Sequence, residues 1–110
     1  MSDAPVPEID IEELARRHAA GAYVLDVRQP DEYEAGHVPG AVLVPLGELE
    51  FRQSELPADR PLLVICKSGG RSAAAVRALA TAGFDATNVG GGTMAWIETG
   101  HDVATGPEAG

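Results

Sequence analysis

The sequence predicts a single α/β domain built on a mostly parallel sheet. Short apolar runs at Tyr23–Val27, Ala41–Val44, Leu62–Ile65 and Ala86–Val89 alternate with segments that read as helices, the pattern of strand–helix units layered around a sheet. Polar or glycine-bearing segments close three of those runs, at Asp26–Arg28, Cys66–Ser72 and Gly90–Gly92. In a parallel sheet ligands bind outside the carboxyl ends of the strands, so the three segments should converge. The chain has 110 residues, 45% apolar but only 5% aromatic, so one core of aliphatic and alanine side chains is expected.

Charge and cysteine usage narrow the classes of function. The formal net charge is −9, which argues against nucleic acid and anionic membrane surfaces, since both favour basic patches. A single cysteine excludes an internal disulfide and a cysteine-based zinc site, and no metal is expected. No basic-then-apolar signal pattern opens the chain, and no apolar run reaches the ~18 residues of a membrane helix. A functional free thiol makes a reducing cytoplasm the default location.

Residues 1–7 read as a loose lead containing two prolines. Asp10 is a helix N-cap with Glu13 three positions on, as in a capping box, and Ile9 and Leu14 occupy the staple positions. Glu12–Arg16 and Glu13–Arg17 are spaced for i,i+4 ion pairs, and Gly21 stops this helix. His18 reads as a surface or boundary residue. Tyr23–Val27 is the first buried strand, and Asp26 interrupts it. A buried carboxylate needs a cation or hydrogen bonds, and Arg28 and Arg71 are both candidates. Pro30 favours a first helical turn, so a short helix to Gly36 follows, across which Arg28 could pair with Glu32. Asp26, Arg28 and Glu32 read as bracing residues rather than as chemistry.

Pro39-Gly40 fits the centre of a type II turn, and His37 before it reads as a turn-holding residue rather than a base. Ala41–Val44 is a strand, Leu46–Gln53 a short helix and Leu56–Pro61 a loop. After Leu62–Ile65 and the cysteine loop, a helix from Ser72 to Ala82 should present Val76, Leu79, Ala80 and Gly83 along one face. Gly83-Phe84 fits a helix C-cap with its apolar contact. After Ala86–Val89, Gly90 to Ala95 formally satisfies G-x-G-x-x-A. The acidic residue and second strand of a dinucleotide site are missing, so no cofactor is expected; the glycines should let backbone run close to the cysteine loop. Met94, Trp96 and Ile97 should cap the core from a last short helix, and 101–110 is a polar tail expected to fray.

The chemistry concentrates in Cys66-Lys67-Ser68-Gly69-Gly70-Arg71-Ser72. The only cysteine stands where a strand ends and a helix begins. There, free N–H groups and the helix dipole favour an anion, and two glycines let successive N–H groups turn inward as a nest. A fall in thiol pKa from ~8.5 to ~6.5 raises the thiolate fraction at neutral pH from roughly 3% to roughly 75%. Lys67, Gly69, Gly70 and Arg71 together favour a reactive cysteine over a buried structural one.

This heptapeptide resembles the active-site loop of the single-domain rhodaneses, a family of sulfurtransferases. Asp26-Val27-Arg28, Asp31-Glu32-Tyr33, Gly36-His37-Val38-Pro39-Gly40-Ala41, Pro45-Leu46 and Gly91-Gly92-Thr93-Met94-Ala95-Trp96 follow the family's pattern in the same order. The likeness covers about Glu8 to Gly100, with Asp102-Val103 where the family usually has proline-valine. It implies a rhodanese-like three-layer fold, with about five mostly parallel strands and helices on both faces. It also implies Cys66 as the nucleophile, Lys67 to Ser72 as the anion-binding loop, and Asp26, Arg28 and Glu32 beside it.

Two chemistries use a thiolate in such a loop. Cysteine phosphatases and related arsenate reductases carry C-x5-R and need an acid for the leaving alkoxide. Here Arg71 gives C-x4-R, a tighter loop that suits a sulfur atom on the cysteine better than a tetrahedral phosphate. Sulfane-sulfur transfer fits better. Cys66 takes sulfur from thiosulfate or another persulfide donor and passes it to cyanide or a thiol. The partners would be small-molecule donors and acceptors, or proteins in those roles. Lys67 and Arg71 would attract the donor, unless Arg71 braces the loop against Asp26. A sulfur-carrier or regulatory module, loaded by a partner, is the other-class alternative.

Overall fold

The computed structural model describes residues 6–110. Five strands form one parallel sheet: β1 (Glu8–Ile9), β2 (Tyr23–Asp26), β3 (Val42–Leu43), β4 (Leu62–Ile65) and β5 (Ala86–Val89), in the spatial order β1-β5-β4-β2-β3. Four helices accompany them: α1 (Ile11–Ala19), α2 (Pro30–Ala35), α3 (Gly70–Thr81) and α4 (Gly92–Glu98). The α/β, three-layer expectation holds.

Strand side chains alternate between faces, and the core divides accordingly. Val24, Leu63, Ile65 and Val89 pack with Ile11, Leu14, Tyr33 and Trp96 from α1, α2 and α4. Leu25, Leu62, Val64, Cys66 and Ala86 pack with Ala75, Val76 and Leu79 from α3. The central strand β4 is buried on both faces along its whole length, as expected of a continuous apolar run in a parallel sheet.

Asp10 caps α1, accepting the Glu13 N–H at 2.9 Å. The reciprocal half of the expected capping box does not form, because the Glu13 carboxylate turns to Arg16 and Arg17 instead. Glu12 therefore loses the partner the spacing assigned it. Gly83 and Phe84 close α3 as expected: their N–H groups donate to the carbonyls of Ala80 and Leu79, the paired bonds of a Schellman ending. The Val38–Ala41 turn is closed by an Ala41 N–H to Val38 carbonyl bond of 3.0 Å, with Gly40 at φ +85°.

Other expectations change as well. The two-residue β1, unmarked by any apolar run, completes the sheet edge because Glu8 and Ile9 lie in register with Asn88 and Val89. Of the loose lead, residues 1–5 lie outside the described residues, whereas Val6 packs on the core and the Pro7 carbonyl accepts the Asn88 N–H. The buried stripe of α3 is Ser72, Ala75, Val76 and Leu79, with Ala80 and Gly83 exposed. The stripe keeps the expected i, i+3, i+4, i+7 spacing but lies one turn nearer the helix start at Gly70, and the residues from Ala80 to Gly83 are exposed. In α4, Trp96 alone of the three expected caps is buried; Met94 and Ile97 face outward.

The tail expected to fray is tied down. The Trp96 indole N–H donates to the Asp102 carbonyl, His37 and Ala104 exchange backbone bonds, and the Gly40 N–H donates to the Ala109 carbonyl. Backbone groups, which a polar composition does not reveal, make these ties. His37 is fully buried, stacks on Tyr33 at 3.6 Å and has its ring nitrogens against the carbonyls of Tyr33 and Ala109. It holds the turn, as its sequence context indicated. His18 sits half-buried at the boundary, against the Pro39 carbonyl.

Candidate active site

Cys66 leaves β4 at the carboxyl edge of the sheet, and its sulfur is buried beneath the start of α3. The chain then reverses through Lys67 and Ser68 to Gly69, which adopts φ +113° and serves as the helix N-cap. Only a residue without Cβ takes that conformation readily. The turn aims the Gly69 N–H at the Cys66 Sγ, 3.1 Å away, and the Ser72 hydroxyl approaches the same sulfur at 3.3 Å. Burial pushes the Cys66 thiol up. The Ser72 hydroxyl and the N–H groups of Ser72, Gly69 and Ser68 outweigh it and hold the thiol below its ordinary value. Of the loop N–H groups expected to face the sulfur, that of Gly69 donates to it.

Behind the loop, α4 comes unusually close. The N–H groups of Thr93 and Met94 donate to the carbonyls of Cys66 and Lys67 at 2.8 and 3.0 Å. A Cβ built on Gly92 would stand 2.5 Å from the Lys67 carbonyl oxygen and 2.6 Å from that of Cys66. The glycines after β5 thus let backbone meet backbone, the role the sequence assigned to them.

The supporting charges pair differently from one another. Asp26 is fully buried and Arg28 nearly so. The Arg28 Nε and Nη2 donate to both carboxylate oxygens of Asp26, and Nη2 also reaches the Gly36 carbonyl at 2.9 Å. Arg71 does not touch Asp26. Its two terminal nitrogens donate to the two oxygens of Glu32 at 2.7 and 2.8 Å. So Arg28 is the partner of Asp26, and Glu32 tethers Arg71 rather than Arg28. The Arg71 fork holds the Glu32 carboxyl down at about 2, helped by the Gln29 N–H. Geometry decides the exchange: Asp26 points to the α2 face of the sheet, whereas Arg71 lies at the start of α3, where it meets Glu32 over the sheet edge.

Lys67 and Ser68 are exposed, Gly70 is exposed as the first residue of α3, and Ser72 is buried. Lys67 makes no ion pair among the described residues. It borders a hollow of about 290 Å³ with Arg28, Glu32, Thr93, Met94 and Ile97.

Two site residues escaped the sequence reading. Asn88 on β5 accepts a short hydrogen bond from the Ser72 hydroxyl on its Oδ1, and its Nδ2 donates to Glu8 at 3.0 Å and to the Gly69 carbonyl at 3.3 Å. The available signal was the one that marked Asp26: a polar residue near the end of a buried strand. Glu8, on β1, carried no comparable signal.

These features have counterparts in known proteins. The family model for the Rhodanese-like domain matches residues 10–99. A sulfurtransferase of Allochromatium vinosum is 39% identical over 101 residues, covering 89% of this chain and 94% of that protein. The Bacillus subtilis protein YrkF, whose name proposes a sulfur carrier, is 41% identical over 81 residues, covering 72% of this chain. The matched stretch is only 44% of the length of YrkF. A rhodanese-related protein from Thermoplasma volcanium superposes with a TM-score of 0.86 at 36% identity, over 91% of this chain and 99% of the other. A family match spanning nearly the whole domain, a shared fold and a relative matched almost end to end lead to one conclusion: the chain belongs to the rhodanese-like domain family.

Proposed function

We propose that the protein is a sulfurtransferase that carries sulfane sulfur on Cys66. The observation that bears the most weight is the surrounding of the sulfur. A neutral hydroxyl and a backbone N–H lie within hydrogen-bond distance of Sγ, and among the described residues no carboxylate or imidazole does. That arrangement stabilises an anionic sulfur and supplies no proton to a leaving group. Thiosulfate needs none. The Cys66 thiolate attacks the outer sulfur of the donor, the S–S bond breaks, and its electron pair leaves on sulfite. The outer sulfur remains as a Cys66 persulfide within reach of the loop N–H groups. Cyanide or a thiolate then takes that sulfur, and the electron pair of the Cys66–sulfur bond returns to Cys66. Lys67, exposed and in no ion pair among the described residues, is placed to attract the dianionic donor. Arg71 has both ends of its fork occupied by Glu32, so its role is to brace the loop. The same occupation disfavours a phosphatase reading, in which that arginine would cradle phosphate.

The test is intact mass after incubation with thiosulfate and removal of the excess, beside Cys66→Ser. A gain of one sulfur atom on the wild type alone, removed by cyanide with formation of thiocyanate, is the expected result. An unchanged mass on both proteins would overturn thiosulfate as donor. The kinship with YrkF favours one further reading, a carrier domain loaded by a partner protein in a reducing cytoplasm. It is recognised by a persulfide acquired from a donor enzyme but not from thiosulfate.

A further inference from the structure

The Ser72 hydroxyl has one proton and two acceptors. Its oxygen lies 3.3 Å from the Cys66 Sγ and within a short hydrogen bond of the Asn88 Oδ1. A hydroxyl donates to one acceptor at a time. The Asn88 amide cannot turn away, because both hydrogens of its Nδ2 are engaged, one with Glu8 and the other with the Gly69 carbonyl. Its oxygen therefore faces Ser72. Asn88 is 2% exposed, so losing the Ser72 proton leaves a buried acceptor unpartnered, a costly condition.

We infer that Asn88 is a positioning residue: its amide oxygen, locked in place by Glu8 and Gly69, holds the Ser72 proton against the pull of Cys66. In the thiol state Ser72 donates to Asn88. When Cys66 ionises, the charge draws the hydroxyl round to the sulfur and Asn88 gives up its donor. When Cys66 carries a second sulfur, the charge moves one atom outward and the Ser72 proton returns to Asn88. Asn88 thus opposes the bare thiolate and favours the loaded form over it. The inference rests on Cys66 being the reactive thiol proposed above, and not on any particular sulfur donor.

Other charges surround Cys66 without bonding to it. Lys67 adjoins it in the loop, Arg71 on α3 is paired with Glu32, Asp26 on β2 is paired with Arg28, and Glu8 on β1 reaches it only through Asn88. The competition for the Ser72 proton is therefore separable from them by a double-mutant cycle.

The rate of alkylation by iodoacetamide against pH reports Cys66 alone, since the chain has no other cysteine, and needs no sulfur donor. Asn88→Leu should move the midpoint down by about half a pH unit to one unit, because ionisation no longer takes the Ser72 proton from a buried acceptor. Ser72→Ala should move it up, and adding Asn88→Leu to Ser72→Ala should move it no further. An unmoved or upward midpoint in Asn88→Leu overturns the inference. So does an Asn88→Leu shift that survives undiminished in the Ser72→Ala background. Alkylation can succeed where thiosulfate loading fails, so failure of this inference is distinguishable from failure of the proposed activity.

Discussion

On the α2 face of the sheet edge, Asp26 accepts from the Arg28 Nε, Nη2 and backbone N–H, and the same guanidinium reaches the Gly36 carbonyl. On the α3 face, Cys66, Ser72 and Asn88 share fewer protons than they have acceptors. Both groups are buried, and both sit where parallel strands end. The first is a closed pair of opposite charges with its bonds made. The second has a proton that must choose. A buried charged pair costs desolvation and holds its geometry. A neutral network with a contested proton can follow a change of charge on the sulfur at little cost. On the proposed reading, bracing and reaction are divided between the two faces of one sheet.

The sharpest way to break this comparison is to remove one member of each group and measure stability. Arg28→Ala leaves the Asp26 carboxylate buried and unpaired, and should lower the free energy of unfolding in urea by about 3–5 kcal/mol. Ser72→Ala removes a neutral donor and strands the Asn88 oxygen, at a cost of about 1–2 kcal/mol. Equal losses in the two variants would show that the faces are not specialised in this way.

A smaller effect concerns the bridge between the faces. Arg71 and Glu32 are both partly exposed, at 37% and 28% of their side-chain area, so solvent screening reduces their worth to about 1 kcal/mol or less. The folded Glu32 carboxyl titrates at about 2, below the ordinary 4.5. A carboxyl depressed by folding stabilises the protein above its unfolded value, and this contribution fades as pH falls from about 4.5 toward about 2. Unfolding midpoints of wild type and Glu32→Gln should differ at pH 6 and converge through that window. A difference that persists undiminished at the acid end would assign the effect to packing.

The sequence made the cysteine-loop side of the molecule legible and the Asp26–Arg28 side only in outline. Cys66 and its glycines stand out because a strand end, a helix start and a bent loop have local signatures. The α/β layering followed from apolar runs for the same reason. Which arginine meets which carboxylate was not readable. Asp26 lay within reach of Arg28 and Arg71 in any reasonable fold, and the choice depends on which sheet face each side chain takes. Asn88 and Glu8 escaped because their significance lies in register: β1 and β5 place them side by side, and only α3 above brings Ser72 to them. The tail from His101 departs from expectation because its backbone groups meet the Trp96 indole, His37 and Gly40, ties that its polar composition does not indicate.

The least effect should come from Lys67, the one loop cation without a carboxylate partner among the described residues. On a chain of net charge −9, an approaching dianion is repelled at long range and attracted only near the loop. Lys67→Ala should therefore lower kcat/KM for thiosulfate a few-fold at ~10 mM salt, mainly through KM. At ~150 mM salt, where screening acts within roughly 8 Å, the difference should shrink. Cys66 alkylation by neutral iodoacetamide should change much less, because it senses the sulfur and not the approach of an anion. A fall in kcat with KM intact, insensitive to salt, would instead place the Lys67 ammonium on the departing sulfite, and would mean that the reacting face uses a charge after all.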